Sequence, residues 1–235
     1  MNRPQTNPPN PPVCVIVPTL NEGAGLGSFL GELTAAGFCE IVVVDGGSTD
    51  ETALVAARHR GVRVTRAAGG RGPALNAGAH ATTAKYLLFL HADTLLPRGA
   101  ATKIETFFAD PNAVGGCFRL TFDKQSTVLR VYAWLTRFDT AFTTFGDQAY
   151  FVRRRTFESI GGFPEWPILE DVEMRRRLKR AGHFIKLPFP VVTSARRFKK
   201  NGVIRQQLKN AAIMILFYLG LSPRRITNWY RCNPG

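Results

Sequence analysis

Three short runs of residues that are apolar on both faces set the architecture. Val13 to Val17 and Ile41 to Val44 are almost wholly β-branched, and Tyr86 to Leu90 is a third such run. A strand with one wet face alternates polar and apolar residues, so strands apolar throughout belong to a parallel sheet covered by helices. Between the first two runs, Ser28 to Ala36 reads as a helix, which makes a βαβ unit. After Asp45, a Gly46-Gly47-Ser48 loop leads to a capping pattern over Ser48 to Glu51, a helix through about Arg60 and a strand at Val62 to Arg66. Gly69 to Gly72 precedes a small-residue helix ending near Ala81. Further on, Val114 to Phe122 and Gln148 to Arg153 read as strands, and Thr127 to Phe138 and Asp171 to Ala181 as helices. The fold class is α/β.

A chain of 235 residues, 45% of them hydrophobic, is long enough for one large domain and too apolar to be disordered. Residues 13–235 are expected to form that domain, with a nucleotide-binding half over 13–95, an acceptor and catalytic half over 96–200 and a helical segment over 201–235. Residues 1–12, rich in Pro and Asn, read as a disordered leader. Cys14, Cys39, Cys117 and Cys232 lack the paired spacing of a zinc site. With no apolar run following a basic start, they suggest reduced thiols in a cytoplasmic protein. The net charge of +14 points to an anionic partner: a nucleotide, a phospholipid surface or a nucleic acid. Ala211 to Leu221 is apolar but too short for a spanning helix, which needs about 20 residues. It is either a helix packed on the core or one lying peripherally at the inner membrane face between Arg205, Lys209, Arg224 and Arg225.

The chemistry is carried by acids at strand ends. Glu22 follows the first strand, Asp45 ends the second and Asp93 follows the run at Tyr86 to Leu90. A carboxylate leaving a parallel strand enters the ligand crevice, where it serves a ribose, a base or a divalent cation. Gly70 permits close backbone approach, Arg71 can pair with phosphate, and Asn76 and Gly78 open the next helix against the same site. A second acidic group, Glu170, Asp171 and Glu173, follows Gly161, Gly162, Phe163 and Pro164. The arginine groups Arg153 to Arg155 and Arg175 to Arg177 read as solvated surface charge.

Pro18 to Glu22, Val44 to Thr52, Ala74 to Gly78 and Leu90 to Asp93 together resemble family 2 glycosyltransferases of the GT-A fold. That fold is a Rossmann-like α/β/α sandwich with a mostly parallel central sheet. Within the family the likeness is to small soluble enzymes encoded beside radical SAM or selenium-related genes. The resemblance implies transfer of a sugar from a nucleotide-diphosphate-sugar to an acceptor hydroxyl, with inversion at the anomeric carbon. It implies that Pro18, Thr19 and Glu22 line the nucleotide pocket, that Asp45 contacts the base and that Gly47, Ser48 and Asp50 shape the adjoining loop. His91, Ala92 and Asp93 stand where relatives carry two aspartates one residue apart. Asp93 matches the ligand for Mn²⁺ or Mg²⁺, while His91 is left to touch the donor, bind the metal or form a nearby hydrogen bond. Asp171 matches the general base and Glu170 its orienting neighbour. Arg196 and Arg197 match a diphosphate clamp, and Asp147 and Gln148 an acceptor-side strand that meets donor sugar or acceptor. The acceptor is undefined, with a lipid-linked one among the options.

Two rival readings stand beside this one. Gly23, Gly25 and Ser28 after a strand, with Asp45 beyond, partly match a dinucleotide-binding oxidoreductase, although Ser28 replaces the last glycine and the later acids go unexplained. The positive charge alone suits a non-catalytic module for a membrane or nucleic acid. The chain lacks an aromatic RNA-binding motif, a helix-turn-helix signature and zinc fingers, so nucleic acid is not an expected partner.

Overall fold

The computed structural model describes residues 12–124, 126–195 and 203–232. Nearly all of the expected leader, and both Arg196 and Arg197, lie outside the described residues.

The chain runs β1 (Val13–Thr19), α1 (Gly23–Ala35), β2 (Ile41–Asp45), α2 (Thr52–Ala57), β3 (Val62–Arg66), α3 (Arg71–His80) and β4 (Tyr86–Phe89). It continues through β5 (Thr94–Leu95), α4 (Ala100–Phe107), β6 (Ala113–Phe122), α5 (Thr127–Leu135), a 3₁₀ turn at Gly146–Gln148, β7 (Tyr150–Arg153) and α6 (Arg154–Ser159). The last elements are α7 (Glu170–Ala181), β8 (His183–Thr193), α8 (Val203–Tyr218) and α9 (Pro223–Cys232). Among the described residues these make one eight-stranded sheet in the order β3-β2-β1-β4-β7-β6-β8-β5. The β1–β2, β2–β3, β1–β4 and β6–β8 pairings are parallel, and β7 runs antiparallel to both β4 and β6.

The period of two in β1 and β2 divides the core into two layers. Val13, Val15, Val17, Ile41 and Val43 pack under Leu26, Phe29, Leu30 and Leu33 of α1. Cys14, Ile16, Val42 and Val44 face Ala74, Leu75 and Ala79 of α3 on the other side. Each fully buried Val, Leu, Ile or Phe among these contributes about 1.5–3 kcal/mol. Small residues let α3 lie close to the sheet: a Cβ on Gly78 would come within 2.4 Å of Ile16 Cγ2. Burial pushes the Cys14 and Cys117 thiols up to about 12, which makes them packing groups rather than nucleophiles.

Several expectations need correction. Helix α1 begins at Gly23 rather than Ser28, because the Asp50 carboxylate accepts from Gly23 N at 3.0 Å and caps it from another loop. The capping pattern at Ser48 to Glu51 resolves differently from the expected box. Asp50 accepts from Thr52 N at 3.0 Å, and α2 ends at Ala57, short of Arg60. Strand β8 had no counterpart in the sequence reading, since Pro188 and Pro190 argue against a strand; the register shift beside them accommodates both. Arg153 is not surface charge: it is buried and donates to the carbonyls of Ala113, Phe108 and Asp110. Arg175 is likewise largely buried and pairs with Asp139 at 2.7 Å.

Candidate active site

β1 and β4 are neighbours, and the chain leaves them in opposite directions across the sheet: toward β2 from one, toward β7 and β6 from the other. Such a switch point opens a crevice at the carboxyl ends of the strands. A cavity of about 570 Å³ lies on the side of β4. Its polar wall carries Arg71, His91, Asp93, Asp147 and Asp171, and its apolar wall carries Phe122, Tyr132, Phe145, Leu169, Ile213 and Met214. Asp93 and Asp171, distant in sequence, therefore share one space.

Asp171 sits in the first turn of α7, together with Glu170 and Glu173, where the helix dipole favours anions. Its Oδ2 accepts from Gly146 N at 2.6 Å and its Oδ1 from Val172 N at 2.9 Å. A side chain at position 146 would crowd this approach: a Cβ there would lie 3.2 Å from the carboxylate. Leu169, the N-cap of α7, holds a left-handed φ of 65° while lining the cavity, a costly conformation for a branched side chain. The three acids of α7 then part company. Glu173 binds Arg176 and Arg177, which hold its carboxyl below the usual range against the opposing effect of burial. Glu170 is 1% exposed and does not line the large cavity. Burial raises its pKa, with the paired Arg71 guanidinium opposing the rise.

Arg71 ties these groups together. It pairs with Glu170, stands 3.8 Å from Asp171 Oδ2 and places Nη1 3.2 Å from His91 Nε2. A guanidinium only donates, so His91 Nε2 accepts and the ring proton sits on Nδ1. His91 Nε2 is thus engaged by Arg71 in this arrangement. Among the described residues no group of three His, Cys, Asp or Glu could cage an ion. One carboxylate facing an open cavity instead fits a hard divalent cation that completes its shell with diphosphate oxygens and water.

The loops after β1 and β2 form a second, adjoining region. Asn21 N donates to Ser48 Oγ at 2.9 Å, Thr49 N to Asn21 Oδ1 at 2.9 Å and Glu22 N to Thr52 Oγ1 at 2.9 Å. Asp45 Oδ1 accepts from Ser48 N at 3.0 Å, and its other oxygen lies 3.8 Å from Arg66. Hydrogen bonds to Thr52 lower the Asp50 pKa. Pro18, Thr19, Glu22, Asp45, Gly47, Ser48 and Asp50 gather at the carboxyl ends of β1 and β2, but none lines the large cavity. Gly70, with a φ of 101°, starts α3 beside Arg71, and Ala92 packs against the core.

Two expected ligand contacts have structural partners instead. Gln148 is fully buried, donating to Thr143 O at 2.6 Å, so it reaches no cavity. The Asn76 amide accepts from Phe163 N and donates to Phe163 O, both at 2.9 Å, and thereby pins the Gly161-Gly162-Phe163 loop to α3. Asn76→Ala leaves the backbone N and O of buried Phe163 without their side-chain partners and is expected to cost about 1–3 kcal/mol, read by chemical denaturation. The sequence reading missed the apolar wall. Its nearest signals were the Phe142 to Phe145 stretch and the apolar run of α8.

A three-layer α/β sheet with acids converging at its carboxyl edge is the architecture of a nucleotide-dependent GT-A fold. The chain belongs to glycosyl transferase family 2, whose description residues 14–163 match. An uncharacterized glycosyltransferase of Mycobacterium tuberculosis (strain ATCC 25618 / H37Rv) is 38% identical over 92 residues, 39% of this chain and 41% of that protein. The match thus spans about two fifths of that relative's length. The O-antigen chain rhamnosyltransferase RfbN of Salmonella typhimurium is 26% identical over 196 residues, covering 73% of this chain and 62% of its own. Among solved structures, the mannosyltransferase PcManGT from Pyrobaculum calidifontis in complex with GDP-Man and Mn²⁺ superposes with a TM-score of 0.67 at 21% identity, over 88% of this chain and 62% of that one. S. aureus TarS 1-349 in complex with UDP-GlcNAc gives 0.64 at 17%, over 91% and 69%. At these identities the superpositions establish the fold. The dinucleotide reading loses its footing as well, because the Asp50 carboxylate occupies the α1 N-terminus where a pyrophosphate would bind.

Proposed function

We propose that the protein transfers a sugar from a nucleotide-diphosphate donor to an acceptor hydroxyl with inversion. The observation that carries this reading is the meeting of Asp93 and Asp171 on one cavity wall. Asp171 takes the proton from the hydroxyl as its oxygen attacks the anomeric carbon. The bond to the diphosphate breaks on the opposite face, so a single displacement inverts the configuration. Gly146 N fixes the base, and the Glu170–Arg71 pair holds a cation beside it. A divalent cation bound at Asp93 would neutralise charge on the departing diphosphate. The loops after β1 and β2 receive the nucleoside, and Arg196 and Arg197 remain candidates for the diphosphate clamp. Asp147, on the same wall, is placed to meet a sugar hydroxyl. The apolar wall suits an acceptor whose hydroxyl is borne on an apolar body. Known complexes of fold relatives with GDP-Man and Mn²⁺ and with UDP-GlcNAc support the donor class.

The test is thermal unfolding with UDP and GDP, with and without Mn²⁺. A ligand that binds only the folded state at a hundredfold excess over Kd adds about 2.7 kcal/mol of stability. Asp93→Asn is expected to remove the Mn²⁺-dependent part of the shift. A melting point indifferent to both nucleotides with Mn²⁺, combined with saturable quenching of NADH fluorescence, would overturn the proposal.

A further inference from the structure

The charge of +14 is concentrated in one part of the chain. Residues 174–235 contain 15 Lys and Arg and no Asp or Glu, whereas residues 1–173 contain 16 basic and 17 acidic residues. Two helices that touch each other, α5 and α8, also turn apolar side chains outward. On α5, Val128, Val131 and Leu135 follow one another at helical spacing with Trp134 beside them, each 39–54% exposed. On α8, Leu208, Ile215 and Tyr218, with Leu219 just past its end, are 52–72% exposed. Phe142, from the loop after α5, links the two strips through its ring contact with Tyr218 at 5.6 Å. Single exposed apolar residues are ordinary, but strips on touching helices mark an interaction surface.

Exposed arginines accompany these strips: Arg130 on α5, Arg137 two residues beyond its end, and Arg224 and Arg225 on α9, which packs against α8. The Arg137 guanidinium lies over the Trp134 ring, 5.3 Å from its centroid. The inward sides of the same helices supply Tyr132, Ile213 and Met214 to the cavity that holds Asp171. No helix among the described residues is long and apolar enough to cross a membrane. A second copy of this chain suits the surface poorly, because two basic segments would repel. A phosphate backbone would satisfy the arginines and leave the apolar strips wet. A partner both anionic and apolar satisfies both features.

We propose that the outward face of α5, Phe142 and α8 docks on an anionic lipid bilayer, with the apolar strips at the acyl boundary and the arginines among the headgroups. The assignment of partner is independent of the transfer reaction proposed above.

The test is flotation of the full chain with vesicles of phosphatidylcholine alone or with about one third phosphatidylglycerol, at about 0.1 M and 0.5 M salt. Binding to the anionic vesicles should exceed binding to neutral ones at least tenfold and weaken at the higher salt. The triple variant V131S/W134S/I215S leaves the charge unchanged and alters only exposed positions, so its melting point should stay near that of the parent. It should bind anionic vesicles at least tenfold more weakly. Equal binding to neutral vesicles, undiminished binding by the folded variant, or a dimer that the variant dissociates without any vesicle binding would each overturn the proposal. So would tight RNA binding with no vesicle binding. A nucleotide response without flotation defeats the docking proposal alone, and flotation without a nucleotide response defeats the transferase reading alone.

Discussion

Asp171→Asn is expected to lower turnover about a thousandfold, within the 10²–10⁴ range that a positioned general base contributes. The substitution keeps the shape of the side chain, and the amide oxygen can still accept from Gly146 N, which now bonds Oδ2 at 2.6 Å. What disappears is the group that accepts the proton of the attacking hydroxyl. Donor affinity should therefore survive: the nucleotide-induced thermal shift stays within about 1 kcal/mol of the parent while kcat collapses. Glu170→Gln makes a useful contrast. That side chain is 1% exposed and lies behind Asp171, paired with Arg71, so its removal acts on the base through Arg71 rather than on the acceptor. A folded Asp171→Asn enzyme that keeps more than about a tenth of its activity would exclude Asp171 as the base.

The elements and the acids were legible in the sequence for a shared reason: each depends on local pattern. Runs such as Ile41 to Val44 report a strand buried on both faces, and Asp45 at its end reports the sheet edge. Features that depend on distant partners were not legible. Arg153 looked solvated beside Arg154 and Arg155, yet its guanidinium satisfies three carbonyls around the end of α4 and the start of β6. Nothing local distinguishes it from its neighbours. Asn76 and Gln148 carried ligand-like chemistry, but their amides are consumed by Phe163 and Thr143. The apolar wall joins Phe122 on β6 to Tyr132 on α5 and Met214 on α8, and only tertiary packing brings these together. Helix α1 begins early because Asp50, in another loop, caps Gly23.

Arg71→Met should produce the largest loss of stability among the site residues, about 2–4 kcal/mol near neutral pH. That lies toward the lower part of the usual cost of breaking a buried pair, because the arginine side chain is 36% exposed. The methionine fills the stem's volume but leaves Glu170 buried without its cation and His91 Nε2 without its donor. Burial already raises the Glu170 pKa above its ordinary 4.5, and losing Arg71 raises it further. The folded state of the variant then binds this proton more tightly than the unfolded chain does. Its stabilising contribution is complete below the unfolded pKa and is lost as pH rises through the folded one. The deficit relative to the parent should accordingly be smallest near pH 4 and grow as pH increases, as read by denaturant unfolding across that range. Adding Glu170→Gln to Arg71→Met should flatten this pH dependence, since a neutral amide needs no cation. A deficit of constant size from acid to neutral pH would show that Arg71 stabilises the fold through packing of its stem, with no energetic debt owed to the Glu170 charge.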